Sequence, residues 1–380
     1  MVIIYKSKKG DVQVSLSWVF MIIIGTLFLV LAYNIIGKYK HIEEQKLELE
    51  VKHTLRTIMN NVGRTVGVEN SKVEPLKDKP FQNSKVEIIC EGGTNILSLN
   101  DNLDANNQYL NSYPVFMTYI EQNDIDFTYM VVESFKLPFK TTSLLAFVSQ
   151  KNLIVFDTNS KMANKIVTKF NKGGFDDINY IAKDFSNSVD LINLKEEVDN
   201  PLKYNSIMFV TDKNNDFETD LSEYNKDLRV YKLEFNIINK QYGNLTYIDR
   251  NKNNYTYTYF DIDESLSLPT IALFSAPGTF NCSYDRLIEN TISTYQFYLN
   301  KTNYIMEIAN NSLVCSSNFE DSTEYIFQKY KYEALFKNLN DSYNLILQEN
   351  FTNGEELSNL LNKITSAQKI LESENCIYVY

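Results

Sequence analysis

Histidine is nearly absent. The chain has 380 residues and two histidines, His41 and His53. Their absence beyond residue 53 removes Ser-His-Asp and Cys-His nucleophile pairs, and histidine-based metal sites, from everything that follows. Neither of the two has a partner cluster, and both read as solvated helix residues. Glycine is scarce too. The 12 glycines form no Gly-x-Gly-x-x-Gly and no Gly-x-x-x-x-Gly-Lys loop, so no backbone cradle for phosphate is signalled and no cofactor is implied. No Cys-x-x-Cys occurs, which takes support from redox catalysis and common zinc modules. Basic charge is in deficit, 37 Lys and Arg against 48 Asp and Glu, a net charge of -11. Phosphate binding needs a basic face, so nucleic acid is not an expected partner.

The remaining composition is that of a folded protein, 44% hydrophobic and 22% charged. The 26 Tyr and 23 Phe accompany abundant Asn, Lys and Ile, a bias that AT-rich codons produce without any binding role.

Residues 12–37 carry no charge. That run is about 26 residues, roughly 39 Å as a helix, enough to cross a hydrocarbon core with some tilt. Trp18 and Tyr33 sit towards its ends, where amphipathic rings prefer the interface. Lys6, Lys8 and Lys9 precede the run, and Lys38 and Lys40 follow it, diluted by Glu43 and Glu44. The positive-inside rule therefore favours a cytoplasmic N-terminus by a small margin. The apolar core is too long for a cleaved secretory signal, and no small-x-small site follows it.

Lys8-Lys9-Gly10, then Gln13-Val14-Ser15-Leu16 and the apolar run, resemble the class III signal peptide of archaeal type IV prepilins. The resemblance covers about 30 residues. It implies cleavage after Gly10, before Asp11, a helix that anchors and stems, and the C-terminal bulk outside the cell. The family commonly has Gln directly after the Gly, where Asp11 and Val12 intervene here, and Glu where Ser17 stands. The Ser17-Trp18-Val19-Phe20-Met21 continuation resembles that of surface proteins of small-genome archaea.

Beyond the anchor, the broken three/four spacing of Ile42, Leu49, Leu55, Ile58, Met59, Val62 and Val66 predicts a helical stem, and 69–80 reads as a linker. Short apolar, β-branched runs then recur at 85–90, 127–132, 153–156, 178–182, 207–210, 230–235, 245–248, 255–260 and 270–274, with helical patterns at 160–170 and 189–197. Alternating strand and helix predicts a partly parallel sheet, and Gly243-Asn244 and 251–254, which separate the later runs, predict an antiparallel hairpin. From Cys282 onwards the period is helical. Leu287, Ile288, Ile292, Tyr295 and Tyr298 mark one helix, Tyr325, Ile326, Tyr330, Leu335, Phe336 and Leu339 a second, and Leu357, Leu360, Leu361, Ile364 and Leu371 a third. Asn353 with Glu356 reads as a capping box at the start of the third. The expected fold is an α/β or α+β ectodomain with a C-terminal helical bundle, on a single N-terminal transmembrane helix. Its segments are a cytoplasmic 1–11, a membrane helix 12–37, a stem and linker 38–80, a mixed domain 81–280 and a helical region 281–380.

The four cysteines, Cys90, Cys282, Cys315 and Cys376, all lie beyond the anchor. Two structural disulfides fit an oxidising exterior, whereas free buried thiols fit a cytosolic domain. Cys282 begins the first C-terminal helix and Cys315 follows its end, roughly 42 Å apart if the helix is unbroken. A disulfide needs Cα atoms within about 7 Å. Three antiparallel helices bring Cys315 and Cys376 to one end, so Cys315–Cys376 and Cys90–Cys282 are the expected pairs. Seven Asn-x-Ser/Thr triplets begin at Asn244, Asn254, Asn281, Asn300, Asn310, Asn340 and Asn350, about what this much Asn gives by chance.

Asp157-Thr158-Asn159-Ser160 follows a predicted strand and resembles, weakly, the Asp-x-Ser-x-Ser metal loop of integrin-type adhesion domains. With Asn at the third position and Lys161 at the fifth, it reads as a helix cap. Asp212, Asn214, Asp216, Asp220 and Glu223 match the ligand spacing of an EF-hand calcium loop, but Phe217 takes the glycine position and 207–210 reads as a strand. They form a weak calcium candidate against a solvated acidic turn. Paired carboxylates for glycoside hydrolysis have no sequence signature, since their separation is invisible in one dimension. The sequence therefore points to a non-enzymatic, membrane-anchored surface protein for adhesion, surface assembly or partner binding. Its partners are membrane lipid and other proteins or surface glycans. The alternatives are an extracellular Asp/Glu-dependent hydrolase and a cytoplasmic-facing scaffolding subunit.

Overall fold

The computed structural model describes residues 19, 21–24, 26–27, 29–30, 33–34 and 38, then 72–75, 86–91, 94–99, 102–103, 115–117, 127–173, 175–176, 178–186, 194–199, 203–213, 221–261, 265–309, 323–349, 351–374, 376–377 and 379. The chain divides into two compact units, Met1–Ile58 and Met59–Tyr380. In the first, the described backbone is helical, with Thr26 Oγ1 donating to the Ile22 carbonyl one turn earlier at 2.7 Å. Its described apolar side chains are exposed, Leu29 by 73% and Tyr33 by 80%. Among the described residues no helix is long and apolar enough to cross a membrane. The predicted span 12–37 lies largely outside them, as do Gly10, Asp11, His41 and His53.

The second unit is an α+β fold of three sheets and C-terminal helices. Its strands and first helix run β1 (Lys72–Pro75), β2 (Val86–Glu91), β3 (Thr94–Leu99), β4 (Asn102–Leu103), β5 (Val115–Met117), β6 (Phe127–Lys136), β7 (Lys140–Ser149), β8 (Asn152–Asp157), α1 (Lys161–Lys172), β9 (Tyr180–Lys183), β10 (Ser206–Asp212), β11 (Arg229–Ile237), β12 (Tyr242–Ile248) and β13 (Asn254–Phe260). A short helix α2 (Ser267–Ala272) and three long ones, α3 (Pro277–Ala309), α4 (Thr323–Glu349) and α5 (Gly354–Ser373), follow.

The six-stranded sheet has the order β9-β8-β10-β11-β12-β13. Its first four strands pair in parallel, and β12 and β13 extend the sheet with antiparallel pairings. The reason lies in the side chains. Leu153-Ile154-Val155-Phe156 and Ile207-Met208-Phe209-Val210 are uninterrupted apolar runs, as strands covered on both faces must be. Alternate residues enter different cores. Ile154, Phe156, Met208 and Val210 join Met162, Ala163, Ile166 and Phe170 of α1. Leu153, Val155, Ile207 and Phe209 meet Phe185, Leu194, Val198, Tyr204, Leu221 and Tyr224 on the opposite face.

A four-stranded sheet, β1-β6-β7-β5, is built on the β6–β7 hairpin, and α2 packs across both of its strands. β2, β3 and β4 form a separate meander whose first two strands lie against α3. α4 packs on α3 and on α5, and α5 packs on β12 and β13. Polar pins hold these layers together. Tyr295 Oη donates to the Leu137 carbonyl at 2.9 Å, and Tyr284 Oη donates to the Thr258 carbonyl at 2.8 Å. Asn353 caps α5 as the sequence predicts, accepting from the Glu356 amide at 3.3 Å, but the Glu356 carboxylate accepts from Asn353 Nδ2 at 2.9 Å where a full capping box uses the backbone N–H.

Three expectations fail. The stretch 69–80, read as a linker, contains β1, which pairs antiparallel with β6 from Lys72 opposite Val132 to Pro75 opposite Tyr129. The run 270–274, read as a strand, belongs to α2 and the turn after it. All six residues of α2 are buried, and a short apolar run without polar punctuation has no period to separate helix from strand. Pro269, in its first turn, is compatible with helix because no intrahelical N–H is needed there. Tyr330, read as a core position of the second C-terminal helix, is 64% exposed, while Leu335 and Leu339 are buried as expected. Of the helix expected at 189–197, the described residues 194–198 are helical.

Candidate functional site: the carboxyl end of the parallel strands

β8 lies between β9 and β10. The chain leaves β8 through α1 towards β9, and leaves β10 towards β11 on the other side. The crevice between the carboxyl ends of β8 and β10 is therefore the switch point at which open sheets of this kind take ligands. Asp157 ends β8, Asp212 ends β10, and Asp184 follows β9.

The crevice is filled from within. Ser160 is the N-cap of α1 and accepts from the Ala163 amide at 2.9 Å. Asp212 comes from across the sheet to the same helix end. Its Oδ1 accepts from Ser160 Oγ at 2.7 Å, and its Oδ2 accepts from the Lys161 amide at 2.7 Å. The Met162 amide contributes a longer bond to Oδ1, 3.4 Å. Free amides and the positive end of the helix dipole make this a ready anion site, and the protein's own carboxylate occupies it. Asp157 is 1% exposed. It accepts from the Asn159 amide at 3.0 Å and from Thr211 Oγ1 at 2.9 Å, tying the β8 loop to β10. Asn159 Nδ2 donates to Asp184 Oδ1 at 2.6 Å. The Ser186 hydroxyl and amide also donate to Asp184, at 2.6 and 2.9 Å. Together these donors, Ser186 foremost, hold the Asp184 carboxyl below its usual range.

The calcium candidates are not all visible. Asn214, Asp216 and Asp220 lie outside the described residues. Asp212 caps α1. Glu223 pairs with Lys195 at 2.7 Å. Among the described residues no group of His, Cys, Asp and Glu is arranged to hold a metal ion. The reading of 157–160 as a helix cap is correct.

A second cluster went unnoticed in the sequence. Glu133 of β6, 3% exposed, pairs with Lys169 of α1 at 2.8 Å, and Lys169 also donates to the Ser265 carbonyl at 2.6 Å. Asp261 accepts from the Leu266 amide at 3.0 Å and lies 4.0 Å from Lys165 Nζ. Tyr259 nearby has its hydroxyl pushed up by burial and by the charges of Asp261 and Asp212. The signal for this cluster is Glu133 itself, the one carboxylate in the largely apolar β6. Its partners, more than thirty residues away, gave no local sign. Glu133 joins α1 to the four-stranded sheet, and Asp261, which follows β13, ties α1 to the end of the six-stranded one.

Cys282 and Cys376 are buried. No cysteine among the described residues is free. Cys315 and the Cys90 side chain, which the expected pairs require, lie outside the described residues. No protein-family model, no curated protein and no solved structure matches the chain.

Proposed function

We propose that the chain is a membrane-anchored cell-surface protein, pilin-like at its N-terminus, whose large unit stands outside the cell and acts in adhesion, surface assembly or partner binding. The observation that carries this is the uncharged run 12–37 behind Lys6, Lys8 and Lys9. Helical backbone and exposed apolar side chains at its described positions support it, because such a surface is unfavourable in water and at home in lipid. Membrane lipid is then the first partner. The processing site remains Gly10–Asp11, on the resemblance to prepilins.

Two further observations support an exterior location and a binding role. Cys282 and Cys376 are buried and not free, and disulfides at these two positions suit an oxidising compartment. The pairing Cys90–Cys282 is supported by β2, which carries Cys90 and packs against α3, which carries Cys282. Cys315–Cys376 is supported by the Tyr332 hydroxyl, which donates to the Ile377 carbonyl at 2.9 Å and brings the end of α5 to the first half of α4. The usual ligand crevice of the sheet, filled by Asp212, favours use of the outer surface over chemistry at the strand ends.

Protease treatment of intact cells tests the proposal. Fragments of the second unit released without lysis, with no mass gain when alkylation precedes reduction, are the expected result. A unit untouched until the cells are broken, with four thiols that alkylate directly, sinks it.

A further inference from the structure

Of the seven Asn-x-Ser/Thr triplets, five are fully described, those at Asn244, Asn254, Asn281, Asn300 and Asn340. The fold separates them. Asn244 stands on β12, inside the sheet, with Leu245 fully buried. The triplets at Asn281, Asn300 and Asn340 lie within helices, and their hydroxyl residues Ser283, Thr302 and Ser342 are all 0% exposed. At Asn254 the three residues Asn254, Tyr255 and Thr256 are all exposed. They are already extended, at the start of β13, and β13 is an edge strand. The chain enters them from a turn held by Asp249, which accepts from the Asn251 and Asn253 amides at 2.8 and 2.9 Å, with Lys252 in the left-handed region at φ 63.

We infer that Asn254 carries an N-linked glycan. The inference rests on the exterior location proposed above. A transferase must hold the triplet extended and reach both the carboxamide and the hydroxyl, and this is the one fully described triplet that offers both on the surface of the folded unit. In the transfer, Asn254 Nδ2 forms a bond to the anomeric carbon of a lipid-phosphate-linked oligosaccharide. The bond from that carbon to the phosphate oxygen breaks, the lipid phosphate leaves with the electron pair, and the amide gives up one proton to a base. The Thr256 hydroxyl, 3.0 Å from Thr246 Oγ1, exchanges this surface hydrogen bond for one to the transferase. The glycan also has a physical consequence. An exposed strand edge is a template for pairing with other chains, and a bulky hydrophilic group beside Tyr255 covers it.

Full-length protein taken from its own cell membrane and mapped by peptide mass spectrometry tests this. The peptide containing Asn254 is expected to carry an added glycan mass. Asn254→Gln and Thr256→Ala remove it entirely, Thr256→Ser retains it, and Asn300→Gln leaves it unchanged. An unmodified Asn254 peptide in protein whose second unit is cut by protease on intact cells overturns the inference and leaves the location standing. A unit protected from protease until lysis overturns both.

Discussion

Replacing Asp212 by Ala asks whether the carboxyl end of the sheet is a structural joint or a ligand site. In the wild type its carboxylate takes the Ser160 hydroxyl and the Lys161 amide, each at 2.7 Å, with the Met162 amide further off. A hydrogen bond to a charged group contributes about 1.5–3 kcal/mol when its loss leaves a buried partner, but Asp212 is only half-buried and water replaces part of what is lost. About 1 kcal/mol for each short bond is the discounted figure. The interaction with the helix dipole adds roughly 0.3–1 kcal/mol. The net expectation is a loss of about 2 kcal/mol, and about half that for Asp212→Asn, which keeps a carbonyl acceptor and loses the charge.

Urea unfolding of the full-length protein in detergent measures this as a fall in midpoint at unchanged slope. A second arm uses the vacated helix end. With the carboxylate gone, the amides of Lys161 and Met162 are open to an external anion. Sulfate is then expected to raise the midpoint of Asp212→Ala more than that of the wild type, by binding the native state alone. The comparison between proteins cancels the general salting-out effect of sulfate. An Asp212→Ala protein as stable as the wild type, or more stable, refutes the structural reading. Residues kept for function at the expense of stability behave in that way.

Lys169→Met leaves Glu133 buried without its ammonium partner and is expected to cost about 3–5 kcal/mol, whereas the double variant Glu133→Leu/Lys169→Met recovers most of the loss in the same urea assay. Gly354→Ala puts a Cβ 2.7 Å from the Tyr242 ring at the start of α5. It is expected to lower stability by about 1–3 kcal/mol through overpacking, although Ala is the better helix former, so a stabilised variant would contradict the docking of α5 on β12. The Tyr332 hydroxyl is pushed by burial up to about 12, against a smaller opposite pull from its bond to the Ile377 carbonyl. Its contribution is fully present below pH 10, where unfolded tyrosine begins to ionise, and is lost as pH rises through 12. Tyr247 and Tyr284, both buried with raised values, extend the loss further into alkali. Tyrosinate absorbance is expected to rise in two stages, exposed rings first and these rings only on unfolding; a single smooth titration with the fold intact excludes this.

The parts of the fold that are legible carry a helical period or an apolar run bounded by turn residues. β8 and β10 announced themselves as short apolar runs between turn residues, and α3, α4 and α5 as three/four spacings. Other elements carry no such sign, or a misleading one. α2 is apolar on every side because every side is covered. β7 follows β6 through Leu137-Pro138-Phe139, a turn with none of the Gly or Asn that mark hairpins in a sequence. β1 hides among polar residues because its place is fixed by hydrogen bonds to β6. At the site, Ser160 was readable as a cap because its bond to Ala163 is local. Spacing makes Asp212 the first ligand of a loop that follows it, whereas its principal described partner is a helix end about fifty residues earlier. Sequence spacing reports neighbours along the chain, and a sheet makes neighbours across it.

That long-range partner decides what the strand ends are able to do. An anionic ligand arriving at α1 has to displace a tethered carboxylate that is already in place, and then sit beside Asp157 and Asp184 in a protein of net charge -11. A cation meets oxygens whose lone pairs face the Ser160 hydroxyl and the Lys161 amide. Either ligand must first break the joint that attaches α1 to β10, and α1 is also the element that reaches across to Glu133 on the second sheet. Ligand entry here is thus coupled to loosening two sheets at once. An outer surface whose changes leave the core untouched carries no such coupling, and for this fold that is the less costly place to evolve recognition.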